Sequence, residues 1–152
     1  MALFEAAIPV VLENEGGTID DPLDPGGLTR FGISQRSYPN VDIKNLTVDQ
    51  AKDIYKRDFW RFDGLTSQSV ANNIFDASVN EGHEAVKWAQ EIVNTTVDGI
   101  YGPNTEHYIN LMDEVKFITC FRQWWVNHLL DRAKVSPVVA EDLEGLLRRA
   151  RQ

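Results

Sequence analysis

Cysteine is nearly absent: Cys120 stands alone in 152 residues. One cysteine cannot form an internal disulfide, which excludes disulfide-dependent folding, and its helical, apolar neighbours predict a buried thiol. Also missing is any apolar segment long enough to span a membrane. The N-terminus lacks the pattern of a signal peptide, because Glu5 interrupts the apolar run and no basic residue precedes it. Basic residues are few. Fifteen Lys and Arg stand against 23 Asp and Glu, a formal net charge of −8. A nucleic-acid partner needs a basic patch to meet its phosphates, so that class is set aside. The same deficit denies the chain any global attraction to an anionic polymer, so recognition must come from local groove contacts. No metal or cofactor site is expected: His83, one of three histidines, has no Cys, His or carboxylate at persuasive ligand spacing. The Asp20-Asp21-Asp24 cluster lacks the alternating acids and closing Glu of an EF-hand loop. No internal repeat or low-complexity linker divides the chain. With 43% hydrophobic and 25% charged residues, it reads as one globular domain, long enough to bury a core.

What is there is organised around Glu13-Asn14-Glu15-Gly16-Gly17 and the loop that follows. Upstream, residues 2–14 read as a helix in which Phe4, Ala7, Ile8, Val11 and Leu12 recur on one face. Glu15 continues that stripe, whereas Glu13 falls on the opposite, solvated side. Gly16-Gly17 then ends the helix. A carboxylate aimed along a buried face is disfavoured in its charged form, and a proton-donating Glu at neutral pH needs that environment. Periodicity alone also allows a plainer reading, in which Glu15 sits in a frayed last turn and reaches water. Residues 18–28 hold three aspartates, two prolines and two glycines, a composition that makes turns. Residues 29–34 read as a short strand, so a loop and β-hairpin fold back beside the helix end. Asp24 and Thr29 lie on that return path and would set a second carboxylate and a hydroxyl opposite Glu15. Two carboxyl groups facing each other across a cleft are the apparatus of glycoside hydrolysis.

The motif Glu-Gly-Gly followed by Asp-Pro-x-Asp-Pro-Gly-Gly-x-Thr-x-x-Gly-Ile resembles glycoside hydrolase family 108, the phage and bacterial N-acetylmuramidases whose catalytic residue is the Glu of that motif. The order Glu15, Asp24, Thr29 is also similar to the catalytic triad of T-even phage lysozymes, with an Asp-to-Thr gap one residue shorter. Thr18 departs from the family, which has an aromatic residue there. The resemblance implies cleavage of the β-1,4 bond between N-acetylmuramic acid and N-acetylglucosamine in peptidoglycan. Glu15 would protonate the leaving oxygen, Asp24 would place or activate water, and Thr29 would hold that water. Asp20 and Asp21 compete with Asp24 for the second role, but they sit close behind the Gly16-Gly17 turn, where local backbone hydrogen bonds would occupy them. Asp24 stands between two prolines that restrict its backbone. Inversion at the anomeric carbon is the expected outcome, with the wider carboxyl separation that it requires.

Further along, Pro39-Asn40 and Asp42 mark a turn, and Thr47-Val48-Asp49-Gln50 reads as a capping box opening a helix to about residue 60. Ala51, Ile54, Tyr55 and Phe59 form its apolar face, with Trp60 and Phe62 as core or cleft wall. A helix over residues 69–79 carries Val70, Ile74, Phe75 and Val79 and ends at Asn80-Glu81-Gly82. Asp76 and Asn80 share a face; Asp76 reads as capped or paired internally. The pattern Phe75-Asp76-x-x-Val79-Asn80-x-Gly82 again resembles the family, in which the Asn lies near the substrate groove, so Asn80 is a candidate substrate-binding residue. A helix over residues 84–93 follows. Then Asp98-Gly99-Ile100-Tyr101-Gly102-Pro103-Asn104-Thr105 supplies strong turn chemistry, with Asn104 or Thr105 as the next cap. This run resembles the turn of small peptidoglycan-binding repeats; as a physical object it is a helix–turn–helix corner first. Residues 115–130, with Phe117, Ile118, Phe121, Trp124, Trp125 and Leu129, predict a central buried helix. Ser136-Pro137 opens a last helix through Ala150, whose Arg148, Arg149 and Arg151 suit the helix dipole.

The expected fold is mainly α, lysozyme-like, with about six or seven helices and one small hairpin near residues 26–36. It is expected as a single domain, with residues 1–65 holding the catalytic helix and hairpin and 66–152 the helical remainder. The expected activity is a monomeric, cofactor-free muramidase with peptidoglycan as substrate and no nucleic-acid or membrane partner. A wall enzyme without its own export signal must be released by something else, a condition fitted by phage lysis proteins that wait in the host cytoplasm until a holin opens the membrane. Two rivals stand beside this reading. A lytic transglycosylase needs the acid but no second carboxylate, and a non-catalytic peptidoglycan-binding protein needs neither.

Overall fold

A computed structural model describes residues 1–16, the backbone of 18–20, and residues 27–152. Its described residues form two compact units, one of Phe4–Trp60 and one of Met1–Leu3 with Arg61–Gln152.

The first unit opens with α1 (Phe4–Glu15), which buries Phe4, Ala7, Ile8 and Val11 of the stripe read from the sequence and leaves its fifth member, Leu12, half-buried. Pro9 lies inside this helix, on the exposed side. An interior proline costs about 3 kcal/mol, whereas burying Phe, Ile and Val side chains contributes about 1.5–3 kcal/mol each. The buried stripe therefore outweighs the proline. Three short antiparallel strands follow, β1 (Thr18–Asp20), β2 (Leu28–Arg30) and β3 (Ile33–Ser34), in the order β1-β2-β3. The single strand expected over residues 29–34 is instead a two-residue hairpin, with Arg30 paired to Ile33. Phe31 (φ 51°) and Gly32 (φ 78°) are both left-handed, the conformation that matches the twist of the flanking strands. Glycine meets that demand freely, but for phenylalanine it costs roughly 1–2 kcal/mol. The Arg30 guanidinium lies over the Phe31 ring at 5.0 Å, and Arg30 Nε donates to the carbonyl of Leu46 at 2.8 Å.

A turn of 3₁₀ helix at Ile43–Asn45 leads into α2 (Val48–Phe59). The capping box is present: Gln50 N donates to Thr47 Oγ1 at 3.2 Å and Thr47 N to Gln50 Oε1 at 2.9 Å. Ala51, Ile54 and Tyr55 are buried, and Trp60 packs edge-on against Phe4 at 5.7 Å.

The second unit holds α3 (Gln68–Glu81), α4 (His83–Ile92), α5 (Pro103–Leu111), α6 (Glu114–Ala133), α7 (Pro137–Glu141) and α8 (Leu143–Ala150). Eight α-helices are therefore present among the described residues, against the six or seven expected. The difference lies at the end of the chain, where Asp142 (φ −104°, ψ 15°) leaves helical geometry and divides the last helix in two. Helix α5 begins at Pro103 with Gly102 as its cap, so Asn104 and Thr105 lie inside the first turn and are not the cap. Proline is preorganised for the first helical position and has no N–H to leave unsatisfied there. Helix α6 runs alongside α3, α4, α7 and α8. It buries Phe117, Phe121, Trp125 and Leu129, an i, i+4 row. Ile118 is only half-buried, and Trp124 falls off the row and is 41% exposed, against the expectation of a buried pair. Cys120 is likewise half-buried, where a buried thiol was expected. The fold is mainly α and lysozyme-like, and among the described residues no helix is long and apolar enough to cross a membrane.

Candidate active site

Glu15 is the last residue of α1 and is half-buried, while Glu13 is exposed. The amphipathic stripe thus distinguishes the two acids as the periodicity predicted. The β2–β3 turn is built directly onto Glu15. A Cβ placed on Gly32 would fall 2.8 Å from Glu15 Cβ and 2.9 Å from Glu15 Cγ, and onto the hydroxyl of Tyr55. Real side chains do not approach so closely, so the turn reaches Glu15 only because residue 32 has no side chain. Tyr55 fixes the same turn from α2, its Oη donating to the carbonyl of Phe31 at 2.7 Å. Tyr55 itself is 1% exposed.

Thr29 lies in the centre of the small sheet, paired with Ile19 on one side and Ser34 on the other. Strand alternation places its side chain opposite those of Leu28 and Arg30. The hairpin therefore brings the strand that carries Thr29 back to the end of the helix that carries Glu15. Asp24 and Asp21 lie outside the described residues, and of Asp20 only the backbone, at the end of β1, is described.

Asn80 belongs to the second unit, near the end of α3, where its Nδ2 donates to the carbonyl of Asp76 at 2.8 Å. Asp76 is paired internally, as its sequence position suggested. Arg149 Nη2 lies 2.6 Å from Asp76 Oδ1, and Arg149 Nε is within 3.3 Å of both oxygens. Arg149 is thus an ion-pair partner of α3, where the sequence suggested a general complement to the α8 dipole.

The corner over residues 98–105 is held by one buried amide. Gln90 Oε1 accepts from the backbone N–H groups of Asp98 (3.0 Å) and Gly99 (2.9 Å). Its Nε2 donates to Asp98 Oδ1 at 2.9 Å, Ile100 O at 3.1 Å and Thr105 Oγ1 at 3.1 Å. Hydrogen bonds from the Ile100 N–H and from Gln90 hold the Asp98 carboxyl below its usual range. Tyr101 turns inward. Its ring meets Phe62 edge-on at 4.9 Å and its hydroxyl donates to Glu106 at 3.1 Å. Burial foremost, then the Glu106 carboxylate, drive its phenol well above the ordinary range. A separate hollow of about 530 Å³ in the second unit is lined by Trp88, Cys120, Trp124, Asn127 and His128, among others. Among the described residues no group of three or more His, Cys, Asp or Glu is placed to hold a metal ion.

Sequence reasoning passed over Tyr55 and Gly32. Tyr55 read as one more apolar residue on α2, and only its hydroxyl, which a buried position obliges to find a partner, hinted at more. Gly32 was visible as part of the Thr-x-x-Gly-Ile pattern, but nothing in the pattern says what lies above it.

A mainly helical lysozyme-like fold in which a hairpin is laid against a half-buried glutamate at a helix end is that of a glycoside hydrolase acting on a carbohydrate. The model of the glycosyl hydrolase 108 family matches residues 8–82, a span containing Glu15, Asp24, Thr29 and Asn80 alike. Among solved structures the chain is similar to SagA of Brucella abortus, with a TM-score of 0.82 and 28% identity over 97% of this chain and 88% of that chain. No curated protein sequence matches it significantly.

Proposed function

We propose that the chain is an N-acetylmuramidase that hydrolyses the β-1,4 bond between N-acetylmuramic acid and N-acetylglucosamine in peptidoglycan, in the setting of host-wall lysis. The observation that carries the reading is the placement of Glu15. It is a half-buried carboxylate that closes the stripe of α1 and is backed by the turn of the hairpin, in a chain matched by the glycosyl hydrolase 108 family model. Glu15 donates its proton to the glycosidic oxygen as the bond to the leaving sugar breaks. Asp24 takes a proton from the attacking water, and the Thr29 hydroxyl holds that water. Asn80 contacts the glycan strand. Water entering from the far face gives inversion, and room for it requires carboxyl groups about 6.5–9.5 Å apart, against about 5–5.5 Å in retaining enzymes.

The test is mass spectrometry of purified cell wall digested with the parent and three variants. The parent releases fragments with muramic acid reducing ends. Glu15→Gln releases none, while its thermal midpoint is unchanged or slightly raised, because the lost group served function and not stability. Asp24→Asn loses roughly 10²–10⁴-fold in turnover, the contribution of a positioned general base, with little change in substrate binding. Glu13→Gln behaves as the parent. Products ending in 1,6-anhydro sugars would replace hydrolysis with a lytic transglycosylase, in which the sugar's own 6-hydroxyl attacks. Tight pelleting on wall without released fragments would leave a binding protein.

A further inference from the structure

We infer that Tyr55 and Gly32 are a positioning pair for Glu15, acting through the backbone of the β2–β3 turn. The inference rests on the reading of Glu15 as the acid and adds how its side chain is held. Gly32 is required at its position twice over. Its φ of 78° is left-handed, and any Cβ there would collide with the Cβ and Cγ of Glu15. The turn backbone is therefore in direct contact with the stem of the Glu15 side chain, and limits the rotamers open to its carboxyl group.

That contact is only as firm as the turn. Phe31, next to Gly32, is a bulky residue at φ 51°, a conformation that persists only where the surroundings over-determine it. The Tyr55 hydroxyl, held on the carbonyl of that same residue at 2.7 Å, is one such determinant. Its own position is rigid. Tyr55 is 1% exposed, on a helix whose start is fixed by the Thr47–Gln50 capping box. The chain of contacts runs from α2 through the Tyr55 hydroxyl and the Phe31 carbonyl to Gly32 and Glu15, all within one compact unit. Removing one oxygen atom from Tyr55 leaves its ring in the core, frees the strained turn to relax, and lets the carboxyl of Glu15 leave its working direction. A displacement on the order of 1 Å in such a group costs about 10²-fold in rate.

The experiment measures steady-state kinetics on soluble, uncross-linked peptidoglycan strands for the parent, Tyr55→Phe, Gly32→Ala and Glu15→Gln, with strand binding measured in the inactive Glu15→Gln background. Tyr55→Phe is expected to lower kcat by about 10- to 100-fold with KM within about twofold of the parent. The double variant of Glu15→Gln with Tyr55→Phe is expected to bind strands as Glu15→Gln alone does. A merely structural tyrosine would lower the thermal midpoint and leave kcat of the folded enzyme untouched, so an unchanged kcat below the midpoint overturns the inference. Gly32→Ala, where it folds, should show the same split more severely. Should Glu15→Gln itself retain activity, the assignment of the acid fails, and with it the positioning role. An inactive Glu15→Gln beside a fully active Tyr55→Phe removes the positioning role alone.

Discussion

Glu13 and Glu15 stand two positions apart, which is about 200° of helical rotation. One acid points into water and the other follows Val11 along the buried side of α1. This distinction was legible in the sequence because it depends only on helical period and on which neighbours are apolar. Tyr38 shows the opposite case. Nothing near it in the chain announces a partner, yet its hydroxyl donates to Asp58 Oδ2 at 2.7 Å, twenty residues away. Burial, then the hydrogen bond to Asp58, push its pKa from the ordinary 10.0 up to about 12. The folded state therefore keeps the phenolic proton at a pH where the unfolded chain has released it. Stability from this group is complete below about pH 10 and is lost as the pH rises towards about 12. Tyr38→Phe should remove that part of the alkaline loss. Urea denaturation at neutral pH and across the alkaline window checks it: the gap between parent and variant must narrow as pH rises.

At the scale of elements, local chemistry did most of the work. Thr47 and Gln50 lie three apart and specify the start of α2 by themselves. The buried amide of Gln90 has no such local signature, because it reaches forward across the loop to Asp98, Gly99, Ile100 and Thr105. Turn residues mark this corner in the chain, but none of them hints at what braces it. Gln90→Leu keeps comparable bulk and strands the N–H groups of Asp98 and Gly99. With each orphaned buried donor costing about 1–3 kcal/mol, a loss of roughly 3 kcal/mol is expected, read as a lowered urea midpoint. Catalysis by a site in residues 4–60 should survive at temperatures where the variant stays folded. The divided end of the chain, α7 and α8, was unreadable for a related reason. Its apolar residues fit one continuous helical stripe, and only the backbone at Asp142 interrupts it.

At the scale of the whole chain, the Asp76–Arg149 pair joins α3 to α8 across 73 residues of sequence. Its side chains are 8% and 11% exposed. Removing one partner from a buried pair leaves the other charge uncompensated and costs about 3–5 kcal/mol, while replacing both by apolar residues of similar volume is close to neutral. Asp76→Leu and Arg149→Met should each be strongly destabilising, and the double variant much less so than their sum. A double-mutant cycle on urea midpoints measures the coupling; additive losses would mean the pair does not couple the two helices.

Period, capping chemistry and composition are properties of neighbours in the chain, and from them the sequence alone determined the mainly α fold, the stripe of α1, the separation of Glu15 from Glu13, the box at Thr47 and the turns at Gly82 and Asp98. Tertiary structure decided what depends on residues distant in sequence meeting in space. It split Trp124 from Trp125, took Arg149 from its helix dipole to Asp76, and gave Gln90 its loop. It also laid the bare Cα of Gly32 and the hydroxyl of Tyr55 beside Glu15. Such meetings are set by how whole elements pack, and a one-dimensional pattern carries no record of which distant atom will fill the space a missing side chain leaves.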